Sequence, residues 1–139
     1  MNYDKDTILH LSELIKGNDA ARLWLINKNY PELVLLHFFI NGRDDALKEL
    51  MKKNYVEVTA FAESIKGNAR AFNWLAENKK FIWAATVQVI YKRKEAGMWL
   101  KKNKLDHYLM LAETIRKRLE EENKGDVFSI FTNILKRRK

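Results

Sequence analysis

The chain has no cysteine, one proline and five glycines in 139 residues. Without thiols there is no disulfide, no thiolate metal site and no cysteine nucleophile. So few turn formers argue against an all-β chain of short strands joined by tight turns. No run approaches the roughly 18 uninterrupted apolar residues that a membrane helix requires. The amino-terminal stretch MNYDKDTILHLSELIKGND sets Asp4, Lys5, Asp6 and Glu13 around a short apolar segment. That is not the basic start and continuous apolar run of a secretory signal. These absences lead to the expectation of a cytoplasmic protein with no membrane partner.

Hydrophobic residues make up 47% of the chain, aromatics 12% and charged residues 32%, the balance of a globular domain rather than a disordered tail. Residues 1–139 are expected to form a single domain, burying roughly two thirds of the surface of the unfolded chain. The net charge of +8 is unevenly spread: residues 1–64 balance at −2 and residues 65–139 at +10. The carboxy-terminal half is the basic half.

The tetrapeptide IKGN occurs at Ile15–Asn18 and again at Ile65–Asn68, with Ile40-Asn41-Gly42-Arg43 midway between them. The period is therefore 25 residues, and it continues to Ile90 and Ile115. Other positions keep the same phase. Six residues after each Ile stand Ala21, Ala46, Ala71 and Ala96; ten after stand Leu25, Leu50, Leu75 and Leu100. The residue before that Leu is Trp24, Glu49, Trp74 and Trp99 in turn. Four before the Ile are Leu11, Leu36, Phe61, Thr86 and Leu111, and seven before are Ile8, Leu33, Val58, Trp83 and Tyr108.

These phases convert into helices. Positions seven before, four before and at the Ile fall on one stripe of a 3.6-residue helix, and the Ala, Trp and Leu have the spacing of a second amphipathic helix. Gly17, Gly42 and Gly67 stand where the first helix ends, because glycine enters the left-handed stop conformation without steric penalty. Asn18 and Asn68 follow at expected N-cap positions, and Pro31 suits the first turn of a helix. The expected fold is all-α: a stack of antiparallel helix pairs (an α-solenoid) of about ten short helices, with about four units over residues 5–115. Beyond Ile115 the pattern fails. IRKRLEEENKGD prolongs the last helix, Gly125 stops it, and Asp126 begins a capping helix over residues 126–138 with Val127, Phe128, Phe131, Ile134 and Leu135 on one stripe. On this reading Ile8, Leu11 and Ile15, with no preceding unit, offer a surface for self-association.

The stacked two-helix pattern resembles the HEAT, armadillo and TPR solenoids in architecture. The resemblance implies a binding scaffold and carries no functional residues across.

The three histidines His10, His37 and His107 form no metal-ligand pair at helical spacing, and no phosphate-binding or nucleophile-elbow motif occurs. No cofactor, metal or enzymatic activity is expected. His37 stands where the other units carry Ser12, Ala62, Val87 and Ala112; it is either a polar group in a groove or a core histidine bonded to a backbone carbonyl. Glu49 replaces the tryptophan of its neighbours, and a carboxylate among indoles suits a cationic or amide-bearing ligand, unless the position is only half-buried and tolerates charge. Trp24, Glu49, Trp74 and His37 are thus candidates for contact with a protein or peptide partner. The second candidate is a basic edge for nucleic acid, formed by Lys92, Arg93 and Lys94, by Lys101, Lys102 and Lys104, and by Arg116, Lys117 and Arg118. Lys92 and Lys117 share one phase, as do Arg93 and Arg118, so a ridge is expected. Cations at helix ends also complement helix dipoles without binding anything.

Overall fold

The computed structural model describes residues 3–122, which form nine α-helices and no strand. They are α1 (Lys5–Ile15), α2 (Ala20–Asn27), α3 (Pro31–Ile40), α4 (Asp45–Lys52), α5 (Val56–Ile65), α6 (Ala69–Glu77), α7 (Phe81–Ile90), α8 (Lys94–Lys102) and α9 (Asp106–Glu122). The capping helix expected over residues 126–138 lies outside the described residues.

The eight turns between these helices are closed by one backbone device. After α1, the Gly17 N–H donates to the Leu14 carbonyl and the Asn18 N–H to the Glu13 carbonyl, each at 3.0 Å. The same pair of bonds recurs after every helix through α8, and it satisfies carbonyls that a helix end leaves open. The motif needs one left-handed residue per turn. Gly17, Gly42 and Gly67 supply it after the first three odd helices, while Lys92 takes it after α7 at φ 66°. Asn29, Asn54, Lys79 and Lys104 supply it after the even helices, again 25 residues apart. At the helix starts the two asparagines differ. The Asn68 side chain accepts from the Ala71 N–H at 3.1 Å, as an N-cap should. Asn18 does not cap: α2 begins with Asp19 as its cap residue, and the Asn18 amide is turned toward Glu13.

Short turns make successive helices antiparallel, so the odd-numbered helices all run the same way. They pack in sequence, α1 on α3, α3 on α5, α5 on α7 and α7 on α9, and α9 packs back against α1. The even-numbered helices sit outside this circuit, each against the two odd helices that flank it in sequence, and no two of them pack substantially against each other. The inner helices are apolar on most sides because inner neighbours and outer helices cover them. Their Thr59, Ser64, Thr86 and Thr114 hydroxyls are satisfied by donating to the carbonyl four residues back. Leu25, Leu50, Leu75 and Leu100 anchor the outer helices and are fully buried, each stabilising the fold by roughly 1.5–3 kcal/mol. Ala21, Ala46, Ala71 and Ala96 are buried where the paired helices approach.

Closure corrects the picture of an uncovered first unit. Ile8, Leu11 and Ile15 are buried, because α9 covers α1 as another unit would. At one end of the circuit Tyr3 seals the centre. Its ring meets Tyr30 and Trp83 edge-on at 5.2 and 6.0 Å, its hydroxyl donates to Glu32 at 2.7 Å, and its carbonyl accepts from the Tyr108 hydroxyl at 3.5 Å. At the other end α9 continues past Ile115 to Glu122, and Arg118 donates from Nε to the side-chain oxygen of Asn41, in the turn after α3.

Candidate functional site

The outer helices carry Trp24, Glu49, Trp74 and Trp99 at equivalent positions, on α2, α4, α6 and α8 respectively. Because these helices are separated around the circuit, Trp24, Glu49 and Trp74 do not line one common groove. Each faces its own surroundings, and these differ. Trp24 is half-buried with the His10 imidazole stacked on it at 3.7 Å between centroids and 4° between planes. The Lys28 ammonium lies 5.6 Å from the same indole. Glu49 is half-buried and makes no ion pair with a described residue. Trp99 is more exposed than either of the other two indoles.

Trp74 is half-buried and forms one wall of a cleft of about 390 Å³ between α5, the start of α6 and the end of α4. It is lined by the buried Ala60 and Ala71, by Met51, Tyr55 and Val56, and by the polar Glu63, Asn68 and Arg70. Met51 and Val56 are each 54% exposed. An indole and apolar side chains with a few polar groups around one concavity are the composition of a candidate binding site.

A second, larger cleft of about 830 Å³ lies at the end where the inner helices terminate. His37 from α3 and Lys117 and Arg118 from α9 line it together, with Lys16, Asn41 and Glu121. The structure thus brings the histidine together with two residues of the basic edge. Burial holds the His37 imidazole below its ordinary pKa, although the Val34 carbonyl favours its charged form; Nδ1 is buried without a well-formed hydrogen bond.

The basic edge is not one ridge. Lys92, Arg93 and Lys94 are exposed at the turn into α8, whereas Lys101, Lys102 and Lys104 are exposed at its other end, across the length of the helix. Lys92 is a left-handed stop residue, but Lys117 lies within α9, so residues of equal phase have different backbones. Arg116 and Arg118 are half-buried, and Arg118 is turned to Asn41. None of these residues pairs with a described carboxylate. Among the described residues, no three His, Asp or Glu side chains are grouped to hold a metal, and no helix is long and apolar enough to cross a membrane.

Compared with models of protein families, with curated proteins and with solved structures, the chain matches none. The site therefore stands on its geometry. Ala60 and Glu63, like Met51, Tyr55, Val56 and Arg70, are cleft residues that the repeat phase does not single out. Their positions recur in every unit, but nothing local in the sequence says that the position five before the Ile faces the tryptophan nine after it.

Proposed function

We propose that the protein is a non-enzymatic α-helical repeat scaffold of the solenoid kind that binds a protein or peptide partner through the cleft beside Trp74. The observation that carries this reading is the pairing of that half-buried indole with the exposed apolar side chains of Met51 and Val56 around one concave surface. Aromatic side chains in such pockets supply much of the energy of protein interfaces. Trp24 is a weaker candidate, since its face is already covered by His10, and Glu49 has no indole on its own helix. The test is a displayed random-peptide library selected on the full chain and counter-selected on Trp74→Ala, with circular dichroism to show that the variant keeps its helices. Enrichment of peptides that bind the wild type and not the variant supports the reading. Peptides that bind both equally, or no enrichment at all, would remove it.

A second reading is nucleic-acid binding through Lys92, Arg93 and Lys94, favoured by their exposure side by side without a described carboxylate to neutralise them. Phosphate neutralisation by such a cluster makes affinity fall steeply with salt.

A further inference from the structure

The internal period allows each unit to be compared with its neighbours atom for atom, and two substitutions coincide at the Trp74 cleft. The first concerns the ring. Trp24 has His10 stacked on its face and the Lys28 ammonium close by. The equivalents beside Trp74 are Ala60 and Asn78, and the Asn78 amide donates instead to the Trp74 carbonyl at 2.8 Å. The slot that holds a flat ring in the first unit is therefore vacated in the third, and Ala60 lines the cleft that results.

The second substitution concerns charge. Glu13, in the first unit, lies 3.4 Å from the Lys16 ammonium and 3.5 Å from the Asn18 amide. Its equivalent Glu63 faces the cleft, and both matching side chains are turned elsewhere: Lys66 lies over the Phe39 ring at 5.3 Å, and Asn68 caps α6. Phe39 accounts for the difference, since α9, which stands beside α1 in the place of a preceding unit, sets no described ring under the Lys16 ammonium. Glu63 is left half-buried with no ion pair to any described residue.

The other units do not combine these features. The second has Glu49 in place of the tryptophan and Phe38 in place of the carboxylate, and the fourth has Trp99 with Gln88. Among these units only the third sets an indole with no described ring stacked on it beside a carboxylate with no described ion pair. A flat cation fits both vacancies, because its plane stacks on the indole while its charge and N–H groups reach the carboxylate. We propose that the Trp74 cleft receives an arginine side chain of the partner, its guanidinium stacked on Trp74 and paired with Glu63.

This inference rests on the peptide-binding reading and is tested apart from it. Fluorescein-labelled tetra-arginine, tetra-citrulline and tetra-lysine peptides are titrated against the full chain by anisotropy. Citrulline keeps the plane without the charge, and lysine the charge without the plane. Unspecific attraction is disfavoured, because the protein itself carries a net charge of +8. The arginine peptide is expected to bind about tenfold more tightly than either control, and to weaken by about tenfold in Trp74→Ala and in Glu63→Gln. Ala60→His restores the ring present in the first unit and is expected to abolish binding with the helices intact, which covers the case in which Trp74→Ala does not fold. Equal binding to wild type, Glu63→Gln and Ala60→His would overturn the inference, as would no binding of the arginine peptide. Library peptides that depend on Trp74 but contain no arginine would overturn it while leaving the scaffold reading in place.

Discussion

The Tyr3 hydroxyl donates a 2.7 Å hydrogen bond to the carboxylate of Glu32, 29 residues along the chain, and both residues are buried. The bond ties the segment before α1 to the first turn of α3. Tyr3→Phe keeps the ring and leaves a buried acceptor without its donor, which is expected to cost about 1–3 kcal/mol. Urea unfolding followed by circular dichroism measures it; an unchanged midpoint would show that this bond adds nothing to stability.

The same phenol gives the protein a weakness in alkali. Burial first, then the hydrogen bond to Glu32 and its charge, push the Tyr3 phenol far above its ordinary value of 10.0, and burial also raises Tyr108. Above about pH 10 the unfolded chain releases these protons while the folded chain keeps them, so stability is fully present below that pH and falls as pH rises. Each group contributes about 1.4 kcal/mol in all between pH 9 and 11, the slope approaching that value per pH unit only well above pH 10. Unfolding free energies between pH 9 and 11 should show a decline that Tyr3→Phe makes shallower by about that amount.

Lys92 occupies a left-handed position that glycine fills in the three preceding units. Lys92→Gly removes a steric cost of about 1–2 kcal/mol and adds roughly 0.5–1 kcal/mol of chain entropy to be lost on folding. A net gain of about 0.5–1 kcal/mol is expected in thermal unfolding. Gly17→Ala is the control in the opposite sense: an added Cβ there meets nothing within 4 Å, so its expected cost of about 1–2 kcal/mol is that of the backbone alone.

Closure of the helix circuit is tested at Arg118 and Asn41, 77 residues apart and joined by a side-chain hydrogen bond. A double-mutant cycle with Arg118→Ala and Asn41→Ala should give a coupling of about 1 kcal/mol, at the low end for a charged donor because the site is partly open to solvent. Additive effects would mean that α9 is held in place by packing alone.

Nucleic-acid binding by the Lys92–Lys94 cluster predicts association with random duplex DNA or RNA at low salt that weakens steeply at moderate salt, with a smaller slope in Lys92→Ala/Arg93→Ala/Lys94→Ala. No binding at low salt excludes this reading and leaves the peptide cleft untouched.

Much of the fold is legible in the chain because it is local. The helix stripes follow from spacing, and Gly17, Gly42 and Gly67 stop helices where their phase places them. Asn68 caps as expected, while Asn18, identical in its tetrapeptide, does not; its amide is turned toward Glu13. The candidate site was legible only in part. Trp74 stands out in the sequence, but its partners in the cleft lie on another helix, and the difference between Glu13 and Glu63 depends on where Phe39 lies.

By itself the sequence determined the helices, their order and their 25-residue spacing, since each depends on contacts within a turn or two of the chain. Tertiary structure alone decided that α9 returns to cover α1, because the rotation from one unit to the next is set by side-chain packing and accumulates over the whole chain. It also decided how the copies of the repeated tryptophan are covered. His10 stacks on Trp24, whereas Ala60 sets no ring on half-buried Trp74, a difference that acquires meaning only once two helices bring positions fourteen residues apart face to face.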